Sequence, residues 1–91
     1  PIDEVTTSYY LRLRVVDRAG VMAALTRILA DLDISIDALL QKESREGEHQ
    51  TDIILLTHET QEKHINSAIA KIEAMETVLS KVTRIRMEAL S

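Results

Sequence analysis

The residues whose types and spacing could do chemistry lie in one short stretch, Val15-Val16-Asp17-Arg18-Ala19-Gly20-Val21-Met22. It joins an alternating strand pattern on its left to an amphipathic helix pattern on its right. A strand feeding a helix through a tight turn aims several backbone N–H groups at one point, and the helix dipole adds partial positive charge there. The N–H groups at Val21 and Met22 could hold a carboxylate, and the Asp17 side chain or nearby carbonyls an ammonium, which together fit a free amino acid. The same residues also have a purely structural reading. Asp17 can accept from the N–H of Ala19 or Gly20 in an Asx turn, and Gly20 supplies a backbone conformation that other residues resist.

Other chemistry finds little support. With no cysteine, disulfides, thiol catalysis and thiolate metal sites are excluded. His49, His58 and His64 lack the i, i+4 helical spacing of a zinc helix, so neither catalytic nor metal residues are expected. Gly20 and Gly47 are the only glycines, too few for a phosphate loop or a dinucleotide fingerprint, so no cofactor is expected to bind this chain.

The elements that must position the turn follow from periodicity. Residues 1–7 show no usable period and read as a linker, and residues 8–91 as one domain. Tyr9, Leu11, Leu13 and Val15 alternate with Tyr10, Arg12, Arg14 and Val16 as a half-buried strand. Val21, Leu25, Ile28, Leu29 and Leu32 fall on one helical stripe, which Asp33 ends. A second strand starts at Ile34, with Ile34, Ile36, Ala38 and Leu40 on one face and Ser35, Asp37, Leu39 and Gln41 on the other. Residues 43–48 read as a polar hairpin loop. A third strand, about His49 to His58, is nearly continuously apolar at its centre, which predicts burial on both faces, as a central strand or as one whose outer face meets a partner. Thr60 is expected to cap a second helix with Glu62 in its first turn and Ile65, Ala68, Ile69, Ile72 and Met75 on its apolar stripe. Val82 to Glu88 alternates as a fourth strand.

This order is the α+β, ferredoxin-like βαββαβ sandwich: a four-stranded antiparallel sheet, spatial order fourth, first, third, second, with two helices on one face. The other face is expected to carry Tyr10, Arg12, Arg14, Asp52, Ile54, Leu56, Arg84 and Arg86, with Leu39 beside Ile54 and Leu56 as a protein contact. The four arginines on that face raise RNA as a partner, but such sheets stack bases on aromatics and Tyr10 is the only candidate.

Ninety-one residues, 45% apolar and 29% charged, suit one small globular domain, which gains from burying surface against a second copy. A net charge of −4 argues against nucleic acid. No apolar run approaches the ~20 residues that cross a bilayer, so no membrane role is expected, and the absence of cysteine suits a cytoplasmic setting. The chain starts at proline rather than methionine, as expected of a piece of a longer protein.

The turn and its setting resemble the ACT domain, a small ligand-binding regulatory module of this fold. Leu13-Arg14-Val15-Val16-Asp17-Arg18-Ala19-Gly20-Val21-Met22 resembles its first strand, loop and helix start, with Ala19 where the usual pattern has proline. Residues 25–31, 34–43, 51–58 and 82–86 are similar to the C-terminal ACT region of bacterial homoserine dehydrogenase. That resemblance implies a parent enzyme that interconverts L-aspartate semialdehyde and L-homoserine with NAD(P)H in threonine, methionine and isoleucine synthesis, its catalytic part lying outside this chain. It implies homodimers or larger assemblies through the sheet, contact with the catalytic domain, and allosteric control by an amino acid, L-threonine first. The ligand would lie between Asp17, Arg18, Ala19, Gly20, Val21 and Met22 of one copy and Ser35, Ile36 and Asp37 of another. A dimerisation module that senses nothing is the alternative.

Overall fold

A computed structural model describes residues 6–42 and 47–87. The elements run β1 (Thr6–Val16), α1 (Val21–Asp31), β2 (Ile36–Gln41), β3 (Gln50–Thr57), β4 (Thr60–Gln61), α2 (Glu62–Glu73) and β5 (Thr83–Met87). Both helices pack on one face of an antiparallel sheet, as the ferredoxin-like reading expects. The strand order β2-β3-β1-β5 is the expected spatial order. The sheet has five strands rather than four because the short β4 pairs with Thr6 and Thr7. Its register runs on from the β1–β3 ladder with a one-residue slip, so β4 continues β3 beyond an interruption at His58 and Glu59.

β1 begins at Thr6, so Thr6 and Thr7 of the expected linker are strand residues; residues 1–5 lie outside the described ones, as do 43–46 of the expected hairpin loop. The alternation of β1 is strict. Tyr9, Leu11, Leu13 and Val15 are buried and form the core with Ile53 and Leu55 of β3, Val21, Leu25 and Leu29 of α1, and Ile65, Ala68 and Ile72 of α2. β3 alternates too, its outer-face side chains only half-buried, so the expected burial on both faces is not met within one chain. α1 ends as the sequence suggests. Asp33 takes a left-handed conformation (φ 58°), and the N–H of Ile34 donates to Leu29 O at 2.9 Å. That closure satisfies the last carbonyls of the helix and turns the chain toward β2.

Three local expectations are corrected. Thr60 is a buried strand residue, and Gln61 occupies the N-cap of α2 with no side-chain capping bond. Pairing with β1 claims Thr60 before the helix begins. A bulge between Ile36 and Ala38 reverses the phase of β2. Leu40 and Ala38 therefore stand on the outer face opposite Ile54 and Leu56, and Leu39 turns to the helix side opposite Leu55. The third correction concerns β5. Arg84 and Arg86 pair opposite Leu11 and Tyr9, on the helix face, and Thr83, Ile85 and Met87 take the outer face. The Arg86 guanidinium donates to Glu62 Oε1 of α2 at 2.6 Å, and Arg84 donates to Asn66 of the same helix. Long stems let these arginines cross the edge of the core while their charged heads reach partners on α2. The Arg86 hydrogen bond holds the Glu62 carboxyl below the usual carboxylate range, and burial pushes the Tyr9 hydroxyl beside it up.

Candidate functional site

The turn after β1 is held from both sides. Asp17 N–H donates to His49 O at 2.7 Å across the β3 side, and Val16 N–H donates to Thr77 O at 2.8 Å from the segment that follows α2. That segment runs on along the same edge, with Leu79 N–H donating to Arg14 O at 2.8 Å and Val15 bridging Val78. Loop contacts of this kind leave no periodic signal, so the sequence does not announce them.

Gly20 is the N-cap of α1, at φ 89° and ψ −19°. This left-handed conformation favours glycine. No side chain caps the helix, and no acidic residue occupies its first turn. Val21 N–H is taken by Arg18 O at 3.3 Å, which removes one of the two amides expected to receive a ligand. Among the described residues no carbonyl accepts from Met22 N–H, the next amide along. A helix start left open in this way is a ready receiver for an anionic group.

Around this helix start lies a cavity of about 280 Å³. Asp17, Arg18, Ala19, Gly20, Val21 and Met22 all line it, together with Val15, Val16, Gln41 and Ile53. Gln41 and Ile53 are additions that the sequence reading missed. They reach the site because the β2–β3 pairing sets Gln41 opposite Ile53 at the same end of the sheet. The volume sits just below the usual range for small-molecule sites, about 300–1,000 Å³, and suits a small metabolite. Asp17, Arg18 and Gln41 thus meet the aliphatic Val15, Val21 and Ile53 around the helix start.

Ser35, Ile36 and Asp37 are not brought to this cavity within one chain. Ile36 pairs with Thr57 at the opposite end of β2 from Gln41, five residue steps or about 17 Å along the strand. There, His58 N–H donates to Ser35 O at 3.0 Å, and His58 Nε2 lies 3.6 Å from Asp37 Oδ1.

The basic sheet surface considered above is not assembled either. With Arg84 and Arg86 on the helix side, the outer face keeps Arg12 and Arg14, and both pair with Asp52, at 3.4 Å and 2.9 Å. The Arg14 hydrogen bond, helped by both arginine charges, holds the Asp52 carboxyl below its usual range. Among the described residues there is no cluster of three or more His, Asp or Glu able to hold a metal ion, and no helix long and apolar enough to cross a membrane.

Comparison with known proteins places this geometry in a family. The ACT domain family model matches residues 9–77. The chain belongs to the ACT domain family. As an ACT domain it is 60% identical over its whole length to a homoserine dehydrogenase of Methylobacillus glycogenes, covering 22% of that protein. It is 42% identical over its whole length to that of Pseudomonas aeruginosa, covering 21%. The crystal structure of a homoserine dehydrogenase from Thiobacillus denitrificans superposes on 97% of the chain with a TM-score of 0.85 and 60% identity, over 19% of that chain. The ACT domain thus spans about a fifth of the length of these relatives. The ACT domain of a GTP pyrophosphokinase from Chlorobium tepidum shares the fold, with a TM-score of 0.71 at 14% identity.

Proposed function

We propose that this ACT domain is the regulatory, amino-acid-binding part of a homoserine dehydrogenase, with L-threonine as its effector. The observation that carries the reading is the 280 Å³ cavity around the open start of α1, placed where β2 ends at Gln41. β2 pairs with β3 on one side, and its other edge has no strand beside it among the described residues. An exposed edge of this kind is a template for pairing with a second copy. If two copies join antiparallel along β2, a two-fold axis sets the start of one β2 beside the end of the other. Ser35, Ile36 and Asp37 of the partner copy then close the cavity that Asp17 to Met22 open. The α-carboxylate goes to the Met22 amide, and the ammonium to Asp17 and the partner's Asp37.

A ligand gripped by two copies favours the arrangement in which both grips meet. It acts on a catalytic part only through this difference in affinity between arrangements. In this reading the catalytic part, elsewhere in a longer cytoplasmic protein, interconverts L-aspartate semialdehyde and L-homoserine with NAD(P)H, and end-product threonine feeds back on it. The nicotinamide cofactor does not fit the residues here, because two separated glycines cannot form the pyrophosphate-binding turn.

Calorimetry tests the proposal. L-Threonine is expected to give saturable heat with the paired chain, and Asp17→Ala to weaken it by about tenfold, as loss of a charged hydrogen bond does. A paired chain that gives no heat with any common amino acid overturns sensing and leaves a domain that only pairs, a reading that the exposed β2 edge also supports.

A further inference from the structure

The bulge sets Asp37 apart from the rest of β2. Ile36 pairs with Thr57 and Ala38 with Leu56, so Asp37 is the extra residue, with no opposite number on β3. A bulge re-aims the side chain it carries, and bulges are over-represented beside active sites. The side chain so aimed meets an imidazole. His58 N–H donates to Ser35 O at 3.0 Å, which ties the residue after β3 to the residue before β2. The His58 ring then stands with Nε2 3.6 Å from Asp37 Oδ1. Both side chains are 59% exposed, so the pair is open to solvent protons and to a ligand.

We infer that His58 is a positioning residue for Asp37 and makes amino-acid binding respond to pH. The inference rests on the proposed reading of Asp37 as the group that, from a second copy, receives the ammonium of the ligand. Its physical basis is a competition of two cations for one carboxylate. Imidazole is the side chain whose charge changes between about pH 5 and pH 8. Uncharged, it leaves the Asp37 carboxylate to the ammonium. Protonated, it pairs with that carboxylate and sets a like charge beside the ammonium. The ligand is then held more weakly in acid, and its binding there expels protons. Among the described residues Asp37 is the one ion-pair partner of His58. Glu59 is its neighbour in the chain, and Glu62, at the start of α2, is bonded to Arg86. Carboxylates keep a constant charge near neutrality, which leaves the imidazole as the group that titrates there.

Calorimetry of L-threonine with the paired chain, at about pH 8 and about pH 6 on either side of an imidazole titration, tests it. Wild-type affinity is expected to fall about threefold toward acid, the size of an exposed ion pair. His58→Gln is expected to give one affinity at both pH values. His49, whose carbonyl accepts from Asp17 N–H, is the other histidine near the site, and His49→Gln is expected to keep the wild-type ratio. Sedimentation at both pH values is expected to show one assembled mass. A wild-type affinity without pH dependence overturns the role of His58 and leaves sensing standing. So does a fall that persists in His58→Gln, disappears in His49→Gln or follows the assembled mass. Absence of threonine heat at both pH values overturns sensing itself, and this inference with it.

Discussion

The chain has two glycines, and replacing each by alanine separates the stability of the turn from its function. Gly20 has φ 89° and Gly47 φ 84°, and a Cβ built on either meets no atom within 4 Å. The cost of alanine is therefore conformational at both positions. An L-residue in the left-handed region loses about 1–2 kcal/mol, part of which is offset by the lower entropy of the unfolded alanine chain. Gly20→Ala and Gly47→Ala should each lower unfolding stability by about 1 kcal/mol, read as a shift of the urea midpoint with unchanged slope. Binding should divide them. Gly20 is the N-cap of α1 and lines the cavity, so relief of strain by rotation of that residue turns the Met22 amide away from its target. A strain of about 1 kcal/mol lowers the competent population about fivefold. Threonine affinity measured by calorimetry should fall by about that factor in Gly20→Ala and stay at the wild-type value in Gly47→Ala. Equal affinities in the two variants, with equal losses of stability, would refute the argument that the helix start presents the ligand.

Two further outcomes follow from the core and the charged groups. Leu25 is fully buried between α1 and the sheet, so Leu25→Ala should cost about 2–5 kcal/mol in chemical denaturation, whereas Leu40→Ala on the outer face should change the stability of the monomer by less than about 0.5 kcal/mol. Asp52 and Glu62 both have carboxyls held below their ordinary values, each first by a hydrogen bond from an arginine. A depressed value stabilises the fold above the unfolded-state pKa and is lost as pH falls through the folded one. Stability should therefore be flat near neutrality and drop below about pH 4.5, with a shallower acid slope in Asp52→Asn; an unchanged slope would contradict the assignment.

Much of the fold was legible because two periods dominate it. The strict alternation of Tyr9 to Val16 is the central strand, and the stripe Val21, Leu25, Leu29 is the buried face of α1. The turn between them was legible as a candidate site for a local reason: strand, acidic residue, glycine and helix are contiguous. What escaped depends on contacts distant in sequence. Gln41 reaches the cavity only through the register of β2 on β3, and the Thr77 carbonyl holds the turn from a segment sixty residues away. The other expected wall, Ser35 to Asp37, lies at the opposite end of β2 from the cavity.

The two phase errors share a physical origin and a consequence. Residues 36–41 read Ile-Asp-Ala-Leu-Leu-Gln, with an aliphatic residue available to either face, so the pattern does not select a register and a bulge can reverse it unseen. Residues 83–87 alternate cleanly, but a rule that sends apolar residues inward reads the alternation backwards. Pairing with β1 fixes the phase, and Glu62 and Asn66 on α2 give Arg86 and Arg84 partners on the inner side. Each reversal moves aliphatic side chains outward: Leu40 in β2, Ile85 and Met87 in β5. The sheet face that the sequence painted as basic is thereby a mostly aliphatic one with its few charges matched among themselves. A lone soluble chain gains nothing from such an arrangement, because inward leucine and isoleucine would stabilise it more.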